Sequence, residues 1–342
     1  MPLLLAELQD RFRAAVIGFA VGDALGFPYR GMPPQQRSRL RELTDEFANK
    51  PRARFARGQF SDDTQVMLAL AESVAREKKI DGKSAAAHLV WLWQEGVIVQ
   101  PPASLTHAAE SLIRGTPWMG AGAPVGTRDP SCLSRGLVVG LWSNAGPVRL
   151  AHDAGVLTVL THKDPVCAAA VGAFARAVQI CLSGEPFTPA FFCEEVATAA
   201  ASNDQEFADE LFYLPRVLGW EPDRALAALR RISVSQAVLD AEPGLPAHVT
   251  PVLLTAFYAV LKVPHDFREA LSLVLHAGGE LDIAAAITGS LMGANLGADA
   301  IPARLRKNVL YGEELVAAAD RLFDARLARD PVPATQLAVV KR

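Results

Sequence analysis

Apolar residues recur at three- and four-residue spacing in several separate runs, among them Met67 to Lys79, Ser84 to Trp93, Val166 to Leu182 and Glu313 to Arg329. That period marks a helix with one face turned to a core, whereas a half-buried strand alternates at every second residue. β-branched alternation is scarce, and Ala and Leu dominate. Breakers stand between the runs: Pro101-Pro102, Gly115 to Gly126, Gly184-Glu185-Pro186, Gly244 to Pro246 and Pro264. Helix follows helix with no strand–helix–strand rhythm, so the pattern predicts an all-α globule. No repeat of solenoid period and no linker composition divides the chain. Residues 1–330 are therefore expected to form one domain and residues 331–342 a loosely ordered tail. Two longer irregular stretches interrupt the helices, Gly31 to Phe60 and Gly115 to Ser131, and loops of that length in a compact domain usually serve function. The arginines of the first stretch, up to Arg57, read as a solvated loop.

Composition narrows the class. Half of the 342 residues are hydrophobic, enough for a core that removes about three quarters of the unfolded surface from water. Such a chain needs no disulfide or structural metal for stability, which leaves any metal free for chemistry. The formal charge of −3 lacks the basic excess of a nucleic-acid-coating protein, so a nucleic-acid partner is not expected. Cys132, Cys167, Cys181 and Cys193 form no CxxC pair and sit in apolar surroundings, as buried reduced thiols do. The opening MPLLLAELQDRFRAAV has no basic leader or small-residue cleavage site, and no stretch reaches the ~20 apolar residues that span a bilayer. The expectation is a cytoplasmic monomer without a membrane partner.

Three segments carry candidate chemistry. Ser61-Asp62-Asp63-Thr64 precedes the helical run QVMLALAESVAREKK. Ser61 suits an N-cap and one acid suits a first turn. Two adjacent carboxylates beside two hydroxyls go further and make a set of hard oxygen donors for Mg²⁺ or Ca²⁺. Far along the chain, Gly278-Gly279-Glu280-Leu281-Asp282 again places two acids at a helix start. Ala286, Gly289, Gly293 and Gly297 then follow at spacings that let another helix approach closely. Near the N-terminus, Gly22-Asp23-Ala24-Leu25-Gly26 puts one acid in an apolar helix, where it requires a partner or a cation.

In this order and at these separations, the three segments resemble the ADP-ribosylglycohydrolase family. Gly22 to Gly26 is similar to its opening Gly-Asp-Ala-Leu-Gly. Ser61 to Thr64 is similar to its metal-binding Thr-Asp-Asp-Thr, and Gly278 to Ile283 to its Gly-Gly-Asp-Thr-Asp-Thr. Two middle elements also match: Thr161-His162 before an Ala-rich helix, and Ser131 to Arg135 where the family has a turn ending in Met-Arg. The resemblance covers roughly residues 12 to 325. It implies an orthogonal all-helical bundle with two Mg²⁺ ions at the base of a cleft for ADP-ribose. The activity implied is cleavage of the bond between ADP-ribose and an acceptor, an ADP-ribosylated protein of arginine type.

Carried onto this chain, the resemblance assigns one ion to Ser61, Asp62, Asp63 and Asp282. A second would share Asp62 and Asp282 and add Glu280. There the family's pattern breaks: Glu280 is a longer carboxylate, Leu281 replaces a polar residue, and Ile283 offers no donor. Mg²⁺ demands a near-regular octahedron, so one firm Mg²⁺ site is expected, with Mn²⁺ or Ca²⁺ as substitutes, and a second that is weak, altered or absent. Asp62, Asp63 and Asp282 are the expected catalytic residues. Asp23, His162 and Trp118 are the expected substrate-side residues, the tryptophan as an adenine stacker. The same departures frame the alternative, a catalytically impaired member that binds ADP-ribose or a protein partner as an immunity or regulatory protein.

Overall fold

The computed structural model describes residues 4–32, 45–48 and 55–330. The 331–342 tail and most of the arginine-rich stretch thus lie outside the described residues. The four periodic runs each become a helix. Met67 to Lys79 lies in Asp62–Glu77 except for its last two residues, Ser84 to Trp93 in Gly82–Gln94, Val166 to Leu182 in Pro165–Leu182, and Glu313 to Arg329 in Gly312–Arg329. The longer helices are α1 (Leu5–Gly26), α2 (Asp62–Glu77), α3 (Gly82–Gln94), α4 (Ala103–Ile113), α5 (Ser134–Trp142) and α6 (Pro147–Thr158). They continue with α7 (Pro165–Leu182), α8 (Pro189–Ala201), α9 (Val249–Lys262), α10 (Phe267–Leu275), α11 (Asp282–Leu296) and α12 (Gly312–Arg329). No strand occurs among the described residues, so the all-α expectation holds.

Two helices that are apolar nearly all round, α1 and α11, form the centre, because such a helix has no face to give to water. Residues 14–26 of α1 and 282–294 of α11 are buried throughout. A Cβ on Gly22 would lie 2.0 Å from the carbonyl oxygen of Ala285, and one on Gly289 would lie 2.1 Å from that of Gly18. The backbones are therefore in direct contact along the small-residue stripe. Gly18 meets Gly289, Gly22 meets Ala285 and Gly26 meets Asp282, a register that rises on one helix as it falls on the other. The pair is antiparallel, and the end of α1 that carries Asp23 faces the start of α11.

The remaining helices wrap this pair. α7 passes for a membrane span by length and composition, but 78% of its apolar window is buried inside the protein, where it packs on α5, α6 and α8. The buried apolar side chains form one contiguous cluster running from Phe12 to Ala325. Cys132, Cys167, Cys181 and Cys193 are free and buried within it, as the sequence suggests.

Several helix starts, those of α2, α3, α7, α8, α9 and α10 among them, carry side-chain caps. Asp164 accepts from the Val166 amide at the head of α7, and Asp81 accepts from Lys83 and Ser84 at the head of α3. α9 is capped unusually, by His248 Nδ1 accepting from the Thr250 amide at 3.3 Å. An imidazole accepts only while neutral. Burial, then the nearby Arg128 charge, pushes His248 down from 6.5 to about 4, against a smaller pull from Asp164. The unfolded chain takes this proton below pH 6.5 and the folded one does not, so the protein should lose roughly 2 kcal/mol of stability as pH falls from 6.5 towards 4. His248→Asn keeps a good cap without the titration. Urea midpoints at pH 7 and 4.5 should converge in the variant, and an undiminished drop there would exonerate His248.

Candidate functional site

The α1/α11 contact brings the buried Asp23 and Asp282 together, and the start of α2 adds the buried Asp62 and Asp63. Asp23 ends the buried face of α1 and is fully buried, and it does not reach open space. Its carboxylate accepts from the Ser61 amide at 3.0 and 3.1 Å, from the Thr64 amide at 3.2 Å and from the Thr64 hydroxyl at 2.6 Å. It therefore ties the Ser61–Thr64 turn onto α1. Burial first, and Asp282 second, raise Asp23 to about 6, although the Thr64 and Ser61 bonds work the other way.

Ser61 is the N-cap of α2, its hydroxyl accepting from the Asp63 amide at 3.2 Å. This makes Asp62 and Asp63 the first two helical residues and turns both carboxylates towards the centre. The Asp62 amide donates to the Val99 carbonyl at 3.0 Å, so the segment before Gln100 braces the turn from the other side. Asp282 starts α11 and is fully buried. The turn before it is held by four backbone bonds: Leu245 to Gly278 at 2.8 Å, Gly279 to Met32 at 2.9 Å, Gly31 to Gly279 at 2.8 Å and Glu280 to Leu245 at 2.9 Å. Leu281 and Ile283 point into the core with no exposure.

These residues open on a cleft of about 330 Å³ lined by Asp62, Asp63, Glu280, Arg30, Asp129 and Ser131, among others. A larger apolar groove of about 490 Å³ between α2, α3 and α12 lacks this acidic set. Neither oxygen of Asp62, nor Oδ1 of Asp63, accepts a hydrogen bond although each is buried. Burial drives both carboxyls well above the usual range. Asp62 and Asp282 add to this at Asp63, and Asp282 and Asp23 add to it at Asp62, which Arg30 partly offsets. Glu280 is raised to about 8 by burial and then by Asp282. Buried carboxylate oxygens without donors are stabilised by a cation, and hard oxygens select a hard one. The donor chemistry of Ser61, Asp62, Asp63 and Asp282 thus fits a divalent ion of the Mg²⁺ class. As the side chains stand, no three His, Cys, Asp or Glu among the described residues converge on one point, and a guanidinium pairs with two of the acids.

That guanidinium belongs to Arg30, to which the sequence pattern assigns no role. Its Nε lies 3.0 Å from Asp282 Oδ2 and its Nη1 3.7 Å from Asp62 Oδ1. Burial alone would lower its pKa, but Asp282, Asp62 and Glu280 outweigh burial and keep it charged. The signal was a lone charge directly after a buried acidic helix, in GDALGFPYR. Asp129 is the other missed residue. It lines the cleft and accepts from Ser131 Oγ at 2.6 Å. Burial is the largest single influence and opposes its charge, but the His162 hydrogen bond and charge, together with the Ser104 and Ser131 hydroxyls, outweigh it and hold Asp129 well below the usual carboxylate range.

The three expected substrate-side residues lie apart from the open space. His162 is buried, with Nε2 3.0 Å from Asp129 Oδ2 and Nδ1 3.0 Å from Thr161 Oγ1, so it supports Asp129 from behind. Trp118 covers Gly82 at the start of α3, where a Cβ would come within 2.7 Å of the indole, and it is not among the lining residues. Asp23 braces the Ser61 turn, as above. Arg135, at the end of the Ser131 to Arg135 element, is fully buried and donates to the Ser131 carbonyl at 2.5 Å and to Thr161 Oγ1 at 2.7 Å.

Residues 4–331 match the family model described as ADP-ribosylglycohydrolase. The chain is 23% identical to the ADP-ribosylarginine hydrolase Tri1 of Pseudomonas putida (strain GB-1), over 93% of this chain and 79% of that protein. It is 25% identical to the ADP-ribosyl-[dinitrogen reductase] glycohydrolase of Rhodospirillum rubrum, over 86% of this chain and 89% of that one. Among solved structures, an ADP-ribosylglycohydrolase-related protein complex superposes with a TM-score of 0.69 at 25% identity, covering 94% of this chain and 99% of the other.

Proposed function

We propose, because the chain belongs to the ADP-ribosylglycohydrolase family, that it is a divalent-metal-dependent hydrolase releasing ADP-ribose from a modified arginine on a protein. The family carries hydrolysis of ADP-ribosylated substrates. The metal dependence and the arginine acceptor are the finer part of the reading. The observation that carries it is the set of donor-less, buried carboxylate oxygens on Asp62 and Asp63 at the floor of the cleft.

Ser61, Asp62, Asp63 and Asp282 would hold one Mg²⁺, with Mn²⁺ or Ca²⁺ as substitutes. An ion there would orient the ribose hydroxyls and acidify a water for attack on the glycosidic carbon. Asp23 fixes the Ser61–Thr64 turn so that Asp62 and Asp63 keep their direction. Asp129, kept ionised by His162, offers a carboxylate on the cleft wall for a ribose hydroxyl or for the cationic guanidinium of an arginine acceptor.

The test is incubation of the full chain with an ADP-ribosyl-arginine protein and Mg²⁺ or Mn²⁺. The expected result is release of free ADP-ribose that stops on adding EDTA. No release from arginine, serine or nucleotide conjugates under either metal would overturn the reading. Two features favour a recognition protein that keeps the cleft without turnover: the Arg30 guanidinium inside the acidic cluster, and the buried Ile283 where a donor is expected. ADP-ribose binding without release, surviving Asp62→Ala, would select that second reading.

A further inference from the structure

We propose that Arg30 is a built-in cation of the acidic cluster, standing where a second divalent ion would be shared by Asp62 and Asp282, so that each cleft takes a single metal ion. The inference rests on the metal-dependent reading above and adds to it a residue and a stoichiometry.

The guanidinium is held from several directions. Nε faces Asp282 at 3.0 Å, Nη1 faces Asp62 at 3.7 Å, and Nη2 donates to the Gln100 carbonyl at 3.3 Å. Its carbon sits 5.6 Å from the centre of the Phe27 ring, a cation–π distance. With the side chain only 17% exposed, little room remains for it to swing into solvent. The backbone before it is pinned as well, since the Gly31 and Met32 pairings with Gly279 join this segment to the turn that carries Glu280 and Asp282. A planar fork bridging two carboxylates is the geometry for which arginine is suited and lysine is not.

The consequence for metal follows from charge. Asp62 and Asp282 are the only carboxylates that the two implied ions would share, and both already face the guanidinium. A dication placed between them would stand against a fixed positive charge at contact range in a desolvated site, where repulsion is poorly screened. On the Ser61–Asp63 side, Arg30 and the buried Arg135 act on Asp63 only through their charge, and Asp63 Oδ1 has no donor. The loss of an oxygen donor at Ile283 fits the same division. With the second ion replaced by a guanidinium, a donor at that position has nothing to ligate. Charge compensation survives, because Arg30 supplies one positive charge to a cluster of five acids, Asp23, Asp62, Asp63, Glu280 and Asp282.

The experiment counts ions without asking for activity. Mn²⁺ is titrated into the full chain, free Mn²⁺ is read by electron paramagnetic resonance, and exchange coupling between neighbouring ions is sought in the bound spectrum. Wild type should saturate at one ion per chain with no coupling. Arg30→Gln should gain a second ion, at least ~10-fold tighter than any second binding in wild type, with a coupled spectrum. Arg30→Lys keeps the charge and should stay at one. Two tight ions in wild type would overturn the proposal and leave the hydrolase reading untouched. So would a well-folded Arg30→Gln that stays at one ion, or an Arg30→Lys that reaches two. No ion in either wild type or Arg30→Gln would remove the metal reading beneath it. If Arg30→Gln fails to fold, the wild-type and Arg30→Lys counts decide.

Discussion

Asp62→Asn is expected to lower kcat/KM for ADP-ribose release by about 10³-fold or more, while leaving the metal-free protein at least as stable as wild type. The size of the loss follows from the role proposed for Asp62. A divalent ion contributes several kcal/mol of transition-state stabilisation, and each 1.36 kcal/mol is a factor of about ten in rate. Asparagine keeps the shape and one oxygen but gives up the charge that binds the ion. The stability half of the expectation comes from burial. Asp62 is 1% exposed, and both its oxygens lack hydrogen-bond donors. It also faces Asp282 and Asp23, with Arg30 as partial compensation. An ionised group in that position destabilises the fold, and neutralising it should recover roughly 1–3 kcal/mol. Arg30 retains Asp282, so no cation is stranded. Urea unfolding in EDTA and the release assay measure the two halves separately. Retained turnover would remove Asp62 from the chemistry. Lost turnover together with lost stability would make it a structural residue. Gain on one axis with loss on the other is the pattern of a site held at the expense of the fold.

Gly289→Val is expected to destabilise the protein by about 3 kcal/mol or more, the upper end of what overpacking costs. The Cβ of any side chain there would sit 2.1 Å from the Gly18 carbonyl oxygen and 3.6 Å from the Gly22 Cα. The obstacle is backbone on both sides, so no rotamer change relieves it and α1 must move away from α11. That motion would also separate Asp23 from Asp282, because the two acids lie at the facing ends of the antiparallel pair. Variants that still fold should therefore lose activity beyond what their folded fraction explains. Gly219→Ala serves as the control, since a Cβ there meets nothing within 4 Å, and its stability should stay within ~0.5 kcal/mol of wild type. Thermal or urea unfolding of the two variants side by side decides the matter. Equal stability of Gly289→Val and wild type would refute the backbone contact between the helices.

The four periodic runs were legible because each depends on local information: the apolar period, the Ser61 cap and the breakers between the runs. The small-residue stripe on α11 announced a close helix neighbour, since only missing side chains permit backbone contact, but nothing in the stripe named α1 as that neighbour. His162 and Trp118 show the limit on the site side. Both are residue types suited to a ligand, yet one supports Asp129 and the other packs on Gly82, because which way a side chain faces is set by packing and not by its chemistry. Arg30 shows the converse. In sequence it stands at the edge of a polar loop, and only the pairing of its segment with Gly279 carries it between Asp62 and Asp282. The chain alone therefore determined an all-α fold, its family and the acids that lie around the cleft, because period, caps and motif are written in neighbouring residues. The tertiary structure alone decided which cation those acids meet first, because that depends on residues 30, 62 and 282, which only long-range packing brings within ion-pair distance.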